Sequence, residues 1–288
     1  MLAAFLSMFG LPKACLYGVA ERTDIKLYEG GSLSGSILSP SLRTLELLKD
    51  VIDRFRKDGG QITRTTLKRT IGDNEASTDA AIRYGISQNY LNQLTQGYIS
   101  LTKSVGDKTF IVPEESYYPV VENVLQELWI GSNYDRSEFL LENTARKDSK
   151  IIGPWTRPDF TLVSHKKFSY TIGNEFDVVT FEVKRPDSAN VLAVFEALSH
   201  TSAATKAYVV FPIDAAMWTK TAPDQESRVK DECSKHGVGL ILIESASSMP
   251  KPLHVIKARR REIDHERSSD FLGAVLSTSG KERIAKWK

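Results

Sequence analysis

Apolar positions recur at two different periods along this chain, and the period changes near Pro113. Leu42, Leu45, Leu48, Val51, Ile52 and Phe55 repeat at steps of three and four, which lays them along one face of a helix. Ser41 is placed to cap that helix and Gly59-Gly60 to stop it. A short helix over 63–70 follows, with Leu67 inward, then a turn at Gly72-Asp73-Asn74. A third helix is expected over 75–94, with Ala80, Ala81, Tyr84, Leu91 and Leu94 on its buried side. Two short strands, 97–102 and 108–112, flank Ser104 to Asp107 as a hairpin.

Beyond Pro113 an amphipathic helix turns Val120, Val121, Val124, Leu125 and Leu128 inward, with Pro119 suited to its first turn. Polar residues then run over 133–150, where an edge strand could lie. Phe160 to Val163 and Val178 to Val183 read as strands around a polar loop placed at about 165–174. A helix over 188–200 is expected to bury Val191, Leu192, Phe195 and Leu198. The strand A-Y-V-V-F over 207–211, a helix over 224–236 and a strand over 238–243 complete the pattern. This order calls for an α/β fold, a mixed sheet flanked by helices. It divides the chain into an N-terminal extension (1–40), a helical domain (41–112), an α/β domain (113–258) and a charged, helical tail (259–288).

Composition changes this picture little. At 288 residues, with 41% apolar and 26% charged residues, the chain is ordinary for a globular protein. A net charge of +2 leaves any nucleic-acid argument to local patches. Cys15 and Cys233 are far apart and the 5 histidines are scattered, which excludes a zinc-finger spacing and a disulfide framework. The opening apolar run lacks a positive start and falls short of the roughly 20 residues of a membrane span. A cytoplasmic protein that does not engage membranes is the expectation.

The chemistry concentrates between Arg157 and Lys184. Side chains alternate along a strand, so Val179, Phe181 and Val183 face one way while Glu182 and Lys184 face the other. If the two apolar runs pair, Asp159 reaches the same edge. Two acids and a lysine at one point can hold a hard divalent cation and set a water against a phosphate. Asp177 reads as a loop residue, and Glu196 and His200, four apart on the following helix, can line the edge of the site. Arg157, Lys166, Lys167, Arg185 and Lys206 are basic residues near it, whereas Arg259-Arg260-Arg261, followed at once by acids, reads as a solvated helix face.

Pro158-Asp159, Glu182-Val183-Lys184, the helix after them and the strand A-Y-V-V-F resemble the PD-(D/E)xK (restriction endonuclease-like) nuclease superfamily over roughly 113–243. The resemblance implies metal-dependent hydrolysis of a phosphodiester. Asp159 and Glu182 would be the metal-binding carboxylates, Val183 would offer its backbone carbonyl, and Lys184 would polarise the attacking water. The fold also implies a further acid from the first helix, for which Glu122 is the candidate and Glu115 an alternative. The implied cofactor is Mg²⁺, with Mn²⁺ as a substitute.

Three helices and a hairpin over 41–112 resemble a winged helix-turn-helix domain. Its DNA-contacting residues would be Arg64, Lys68, Arg69 and Arg83, with Lys103 and Lys108 on the wing and Arg157 and Arg185 nearer the acids. The expectation is a DNA endonuclease of restriction or anti-phage defence, acting as a homodimer or within a larger defence complex. The alternative is a DNA-binding regulatory or complex-docking protein whose nuclease fold is catalytically silent.

Overall fold

The computed structural model describes residues 39–102, 110–132, 138–145, 157–170 and 172–287. Nearly all of the expected N-terminal extension, Lys103, Lys108 and the hairpin turn Ser104 to Asp107 lie outside those residues. The first described helix, α1 (Leu42–Asp58), starts where Ser41 accepts a hydrogen bond from the Thr44 amide and buries Leu45, Leu48, Val51, Ile52 and Phe55. β1 (Gln61–Thr63), α2 (Arg64–Ile71) and α3 (Glu75–Ser87) follow, then β2 (Leu91–Gln93) and β3 (Tyr98–Leu101). The three strands make an antiparallel sheet in the order β1-β3-β2.

The third helix is shorter than its periodicity suggests. Asn89, at φ 58°, reverses the chain just after Ser87, so Leu91 enters the core from a strand and not from a helix. Asparagine is among the few residues that tolerate this left-handed conformation. Phe110 to Val112, expected as a second hairpin strand, lie outside any strand, although Phe110 and Val112 are buried.

The rest of the chain builds a six-stranded mixed sheet covered by helices. Its elements run α4 (Tyr118–Gly131), β4 (Phe139–Asn143), β5 (Phe160–Lys167), β6 (Asn174–Val183), α5 (Val191–Ser199) and β7 (Lys206–Phe211). After them come α6 (Ala215–Thr221), α7 (Pro223–His236), β8 (Gly239–Glu244), β9 (Lys251–Ile256), α8 (His265–Val275) and α9 (Thr278–Ala285). The strand order follows the sequence from β4 to β9. β4, β5 and β6 form an antiparallel meander; β7 and β8 then add in parallel, each after a helical crossover, and β9 closes antiparallel.

Alternation sorts the strand residues between two layers. Phe181, Val183, Tyr208, Val210, Ile241 and Ile243 pack with α4 and with the helices of 42–87 in one cluster. Trp129 of α4 meets the Phe181 ring edge-on at 5.6 Å. On the other face, Val209, Phe211, Leu240 and Leu242 pack under α5 and α7, and Val163 and Val178 under α8. Residues Pro40–Lys288 thus form one compact unit, in which Arg43 of α1 also donates to Ser247 Oγ after β8 (3.2 Å).

Four local expectations change. Helix α5 begins after its cap Asn190 and buries Ala193, Val194 and Ala197, leaving Leu192 exposed. Asp177 is a buried strand residue that takes hydrogen bonds from Thr205, Lys206 and Arg260. The 259–261 run is not helical: Arg260 is held by Asp177, and Arg261 donates to the His236 carbonyl. Strand β5 continues to Lys167, which carries Lys166 and Lys167 to the end of the strand away from Asp159. Among the described residues no helix is long and apolar enough to cross a membrane.

Candidate active site

The site forms where β5 begins and β6 ends. The paired register of β5 and β6 ends at Phe160 and Phe181; Asp159 and Glu182 are the next residue on each chain, close enough for the Glu182 charge to act on Asp159. The Asp159 backbone carbonyl is tied to β4 by the amides of Thr144 and Ala145, which fixes the residue at the sheet's end. Its carboxylate accepts the Tyr118 hydroxyl at Oδ1 (2.6 Å) and the Val183 amide at Oδ2 (2.7 Å).

Lys184 follows β6 directly and lies between two glutamates. Its Nζ donates to Glu182 Oε1 at 2.6 Å and lies 2.7 Å from Glu196 Oε2, which α5 supplies. One turn further along, buried His200 brings Nε2 within 3.4 Å of Glu182 Oε2, without the alignment of a hydrogen bond. The structure therefore gathers Asp159, Glu182 and Lys184 and adds Glu196 and His200 to their edge.

Electrostatics here follow from burial. Loss of water, then the Glu182 charge, raises the Asp159 pKa to about 6 against its two hydrogen bonds. Burial raises Glu182 to about 7 although Lys184 pulls the other way. Glu196, closer to solvent, stays below the ordinary glutamate value because hydrogen bonds from Lys184 and Glu182 outweigh its desolvation. Burial works against the Lys184 ammonium, but the Glu182 carboxylate more than offsets it and holds its pKa above the ordinary lysine value. His200 is pushed down to about 4 by burial and is neutral at pH 7.

A further acid also arrives, at a position the sequence did not single out. Glu114, in the short turn before α4, has its pKa raised by burial while Lys184 and the Arg185 amide draw it down. Glu115 and Glu122 instead line a shallow depression with Tyr118, Pro119 and Asn143. The only sign of Glu114 in the sequence is its place just ahead of the helix that carries Tyr118. Which of two adjacent glutamates turns inward depends on the path of an irregular segment, and no periodicity records that.

The basic candidates are mostly engaged. Asp79 of α3 is reached by Arg64 (2.7 Å), Lys68 (3.0 Å) and Arg83 (3.4 Å), while Arg69 is exposed on α2. Desolvation opposes ionisation of Asp79, but the hydrogen bonds from Arg64 and Lys68 hold its pKa low. Arg185 pairs with Asp187 at 2.6 Å, Lys206 bonds Asp177, and Arg157 sits two residues ahead of Asp159.

Among the described residues, no three His, Cys, Asp or Glu side chains form a group that could hold a metal ion. The donor set at the sheet's end is two carboxylates, Asp159 and Glu182, with the Val183 backbone carbonyl between the strand and Lys184. These are hard oxygen donors, and one or two carboxylates are the usual protein share of a magnesium site that also takes waters and phosphate oxygens. Burial, the first cause of the raised pKa of both acids, removes the water that would stabilise their charge, and a bound cation would supply that stabilisation. The residues present fit Mg²⁺ on those terms. No protein-family model and no curated protein matches the chain.

Proposed function

We propose that this protein is a metal-dependent endonuclease of the PD-(D/E)xK type that hydrolyses DNA phosphodiester bonds. The observation that carries the reading is the meeting at one sheet end of Asp159, held by the Val183 amide, and Glu182, bonded by Lys184. Asp159, Glu182 and the Val183 carbonyl would hold Mg²⁺ or Mn²⁺. When bound, the metal would acidify a water and offset charge on the scissile phosphate. Lys184 would orient the attacking water and face the phosphate as a compact point charge. Glu196, 2.7 Å from the Lys184 Nζ, would hold that ammonium in place if Glu182 served as a metal ligand. Tyr118 and the Val183 amide fix the Asp159 carboxylate, which limits the reorganisation needed on binding.

The helices and three-stranded sheet of 42–101 would serve as a winged-helix-like DNA-binding unit, with Arg64, Lys68, Arg69 and Arg83 toward phosphates. Their shared core with the nuclease-like sheet suits targeting in which binding and cutting elements move together. Restriction or phage defence is the setting the family resemblance suggests.

A second reading has its own support: both Asp159 oxygens and Lys184 are already satisfied within the protein. A DNA-binding regulator with a silent nuclease fold would look the same. The two part in a cleavage assay on plasmid and linear duplex with Mg²⁺ or Mn²⁺. Cutting that Lys184→Ala abolishes while the protein stays folded supports the nuclease. Wild-type protein that binds duplex and never cuts it supports the regulator.

A further inference from the structure

At the other end of β5 and β6, roughly 20 Å along the strands from the carboxylates, lies a cavity of about 500 Å³. It opens between the start of β6 and the paired helices α8 and α9. Its size falls within the range of small-molecule sites, about 300–1,000 Å³. One side is apolar and aromatic: Phe176, Leu272, Leu276, Ile284 and Trp287. The His165 ring lies against Trp287 at 4.5 Å between centroids, so the wall is partly built of flat rings. The polar lining residues are Asn174, His265, Ser269 and Lys281, all exposed to solvent. No aspartate or glutamate is among the described lining residues.

We propose that this cavity binds a nucleoside monophosphate. Each part of the lining finds a partner in that chemistry and in few simpler ones. A flat base would lie against the Trp287–His165 wall, where ring contacts add to burial. The Asn174 side chain, which offers both a donor and an acceptor, matches the polar edge of a purine. Lys281 supplies the full positive charge for the phosphate, strengthened by the absence of a lining carboxylate. A fatty acid would make no use of the donor and acceptor that exposed Asn174 offers, and inorganic phosphate would leave the ring wall empty. The site is independent of the carboxylate pair and holds whether or not the protein cuts DNA.

The test is calorimetric titration with AMP, adenosine, inorganic phosphate and octanoate in EDTA, so that no metal recruits phosphate to the carboxylates. AMP should bind saturably, and adenosine and phosphate should each bind roughly tenfold more weakly or worse, as expected for loss of one charge-assisted contact. Lys281→Ala should weaken AMP by a similar factor without shifting the unfolding midpoint measured without ligand. Ser269→Trp, which places bulk at the exposed rim, should block AMP. Lys184→Ala should bind AMP as the unaltered protein does. The proposal is overturned if AMP gives no heat up to millimolar concentration, or if octanoate binds in preference. It is equally overturned if Lys281→Ala binds AMP unchanged.

Discussion

Lys184 is shared by two carboxylates, and what happens without it depends on pH. Removing it leaves Glu182 and Glu196 facing each other, a repulsion that grows as Glu182 ionises. Lys184→Ala is expected to cost about 1–3 kcal/mol, within the range for a partly buried pair losing one member. The cost should be larger at pH 8 than at pH 5, as read by urea denaturation at both values. A cost that does not change with pH would mean the glutamates are already neutralised by other groups.

Asp159 and Glu182 give a pH dependence of defined sign. Both are raised in the folded state, to about 6 and about 7, so the native protein holds protons that the unfolded chain has already released. Their contribution to stability is complete below the ordinary carboxylate range and is lost as pH rises through about 6 to 7. The unfolding midpoint should fall across that interval, and Asp159→Asn should flatten the fall. If Mg²⁺ binds there, it should restore stability at pH 8 more than at pH 5, because it competes with protons for the same oxygens.

These residues were legible in the sequence because each lies at the end of an apolar run, where alternation and strand pairing decide its position. Glu114 was not, since an irregular segment decides which way it points. Glu196 and His200 were visible as a helical pair. What they touch, Lys184 and Glu182, depends on how α5 crosses the sheet.

At the scale of elements, the helix over 191–199 shows how a correct helix can carry the wrong face. Its largest apolar residues suggested an inward stripe, but small residues, Ala193 and Ala197 with Val194, face the sheet and let the helix lie close. Hydrophobicity alone favours Leu192 and Phe195; the available depth selects alanine. Strand β9 was missed because Pro252 and its exposed neighbours do not read as a buried run, which is the usual composition of an edge.

Close packing between elements also leaves no room for a side chain at Gly239. A Cβ at Gly239 would fall 2.1 Å from the Tyr208 ring and 2.9 Å from the Ala258 amide nitrogen. Gly239→Ala must therefore displace the ring from its stack on Phe181 or shift β8, at a cost of about 1–3 kcal/mol or more. Thermal unfolding measures this directly, and a neutral substitution would show that Tyr208 has a second resting place. Gly237→Ala is a useful companion, since its φ of 70° adds backbone strain to contact with Arg259.

For the whole molecule, the mixed sheet between helical layers was readable from the order of periodic segments. The continuity between the helices of 42–87 and the six-stranded sheet was not. It arises because Leu42 and Leu45 share a core cluster with Val183, Ile243 and Ala246, contacts between distant parts of the sequence. The charge around Asp79 is equally a product of the fold, since three cations meet one acid there. If this surface meets DNA, Asp79→Asn should tighten duplex binding at low salt. Arg83→Ala should reduce the slope of log K against log salt by about one. Fluorescence anisotropy over a salt series reads both effects, and unchanged slopes would place the DNA elsewhere.

Strand β4 is an edge, and the tail is what covers it. Glu142 bonds the Ser277 amide and hydroxyl, and Arg283 donates to the Phe139 carbonyl. Glu142 and Ser277 stand 135 residues apart, so the strand leaves the ribosome long before its cover. At synthesis rates of about 5–20 residues per second, the edge is bare for roughly 7–27 s in each round of translation. An unpaired strand recruits other strands. On polysomes, where nascent copies crowd together, that interval is the time in which this chain is most open to pairing with its neighbours, and speed of translation through the second half becomes part of its folding.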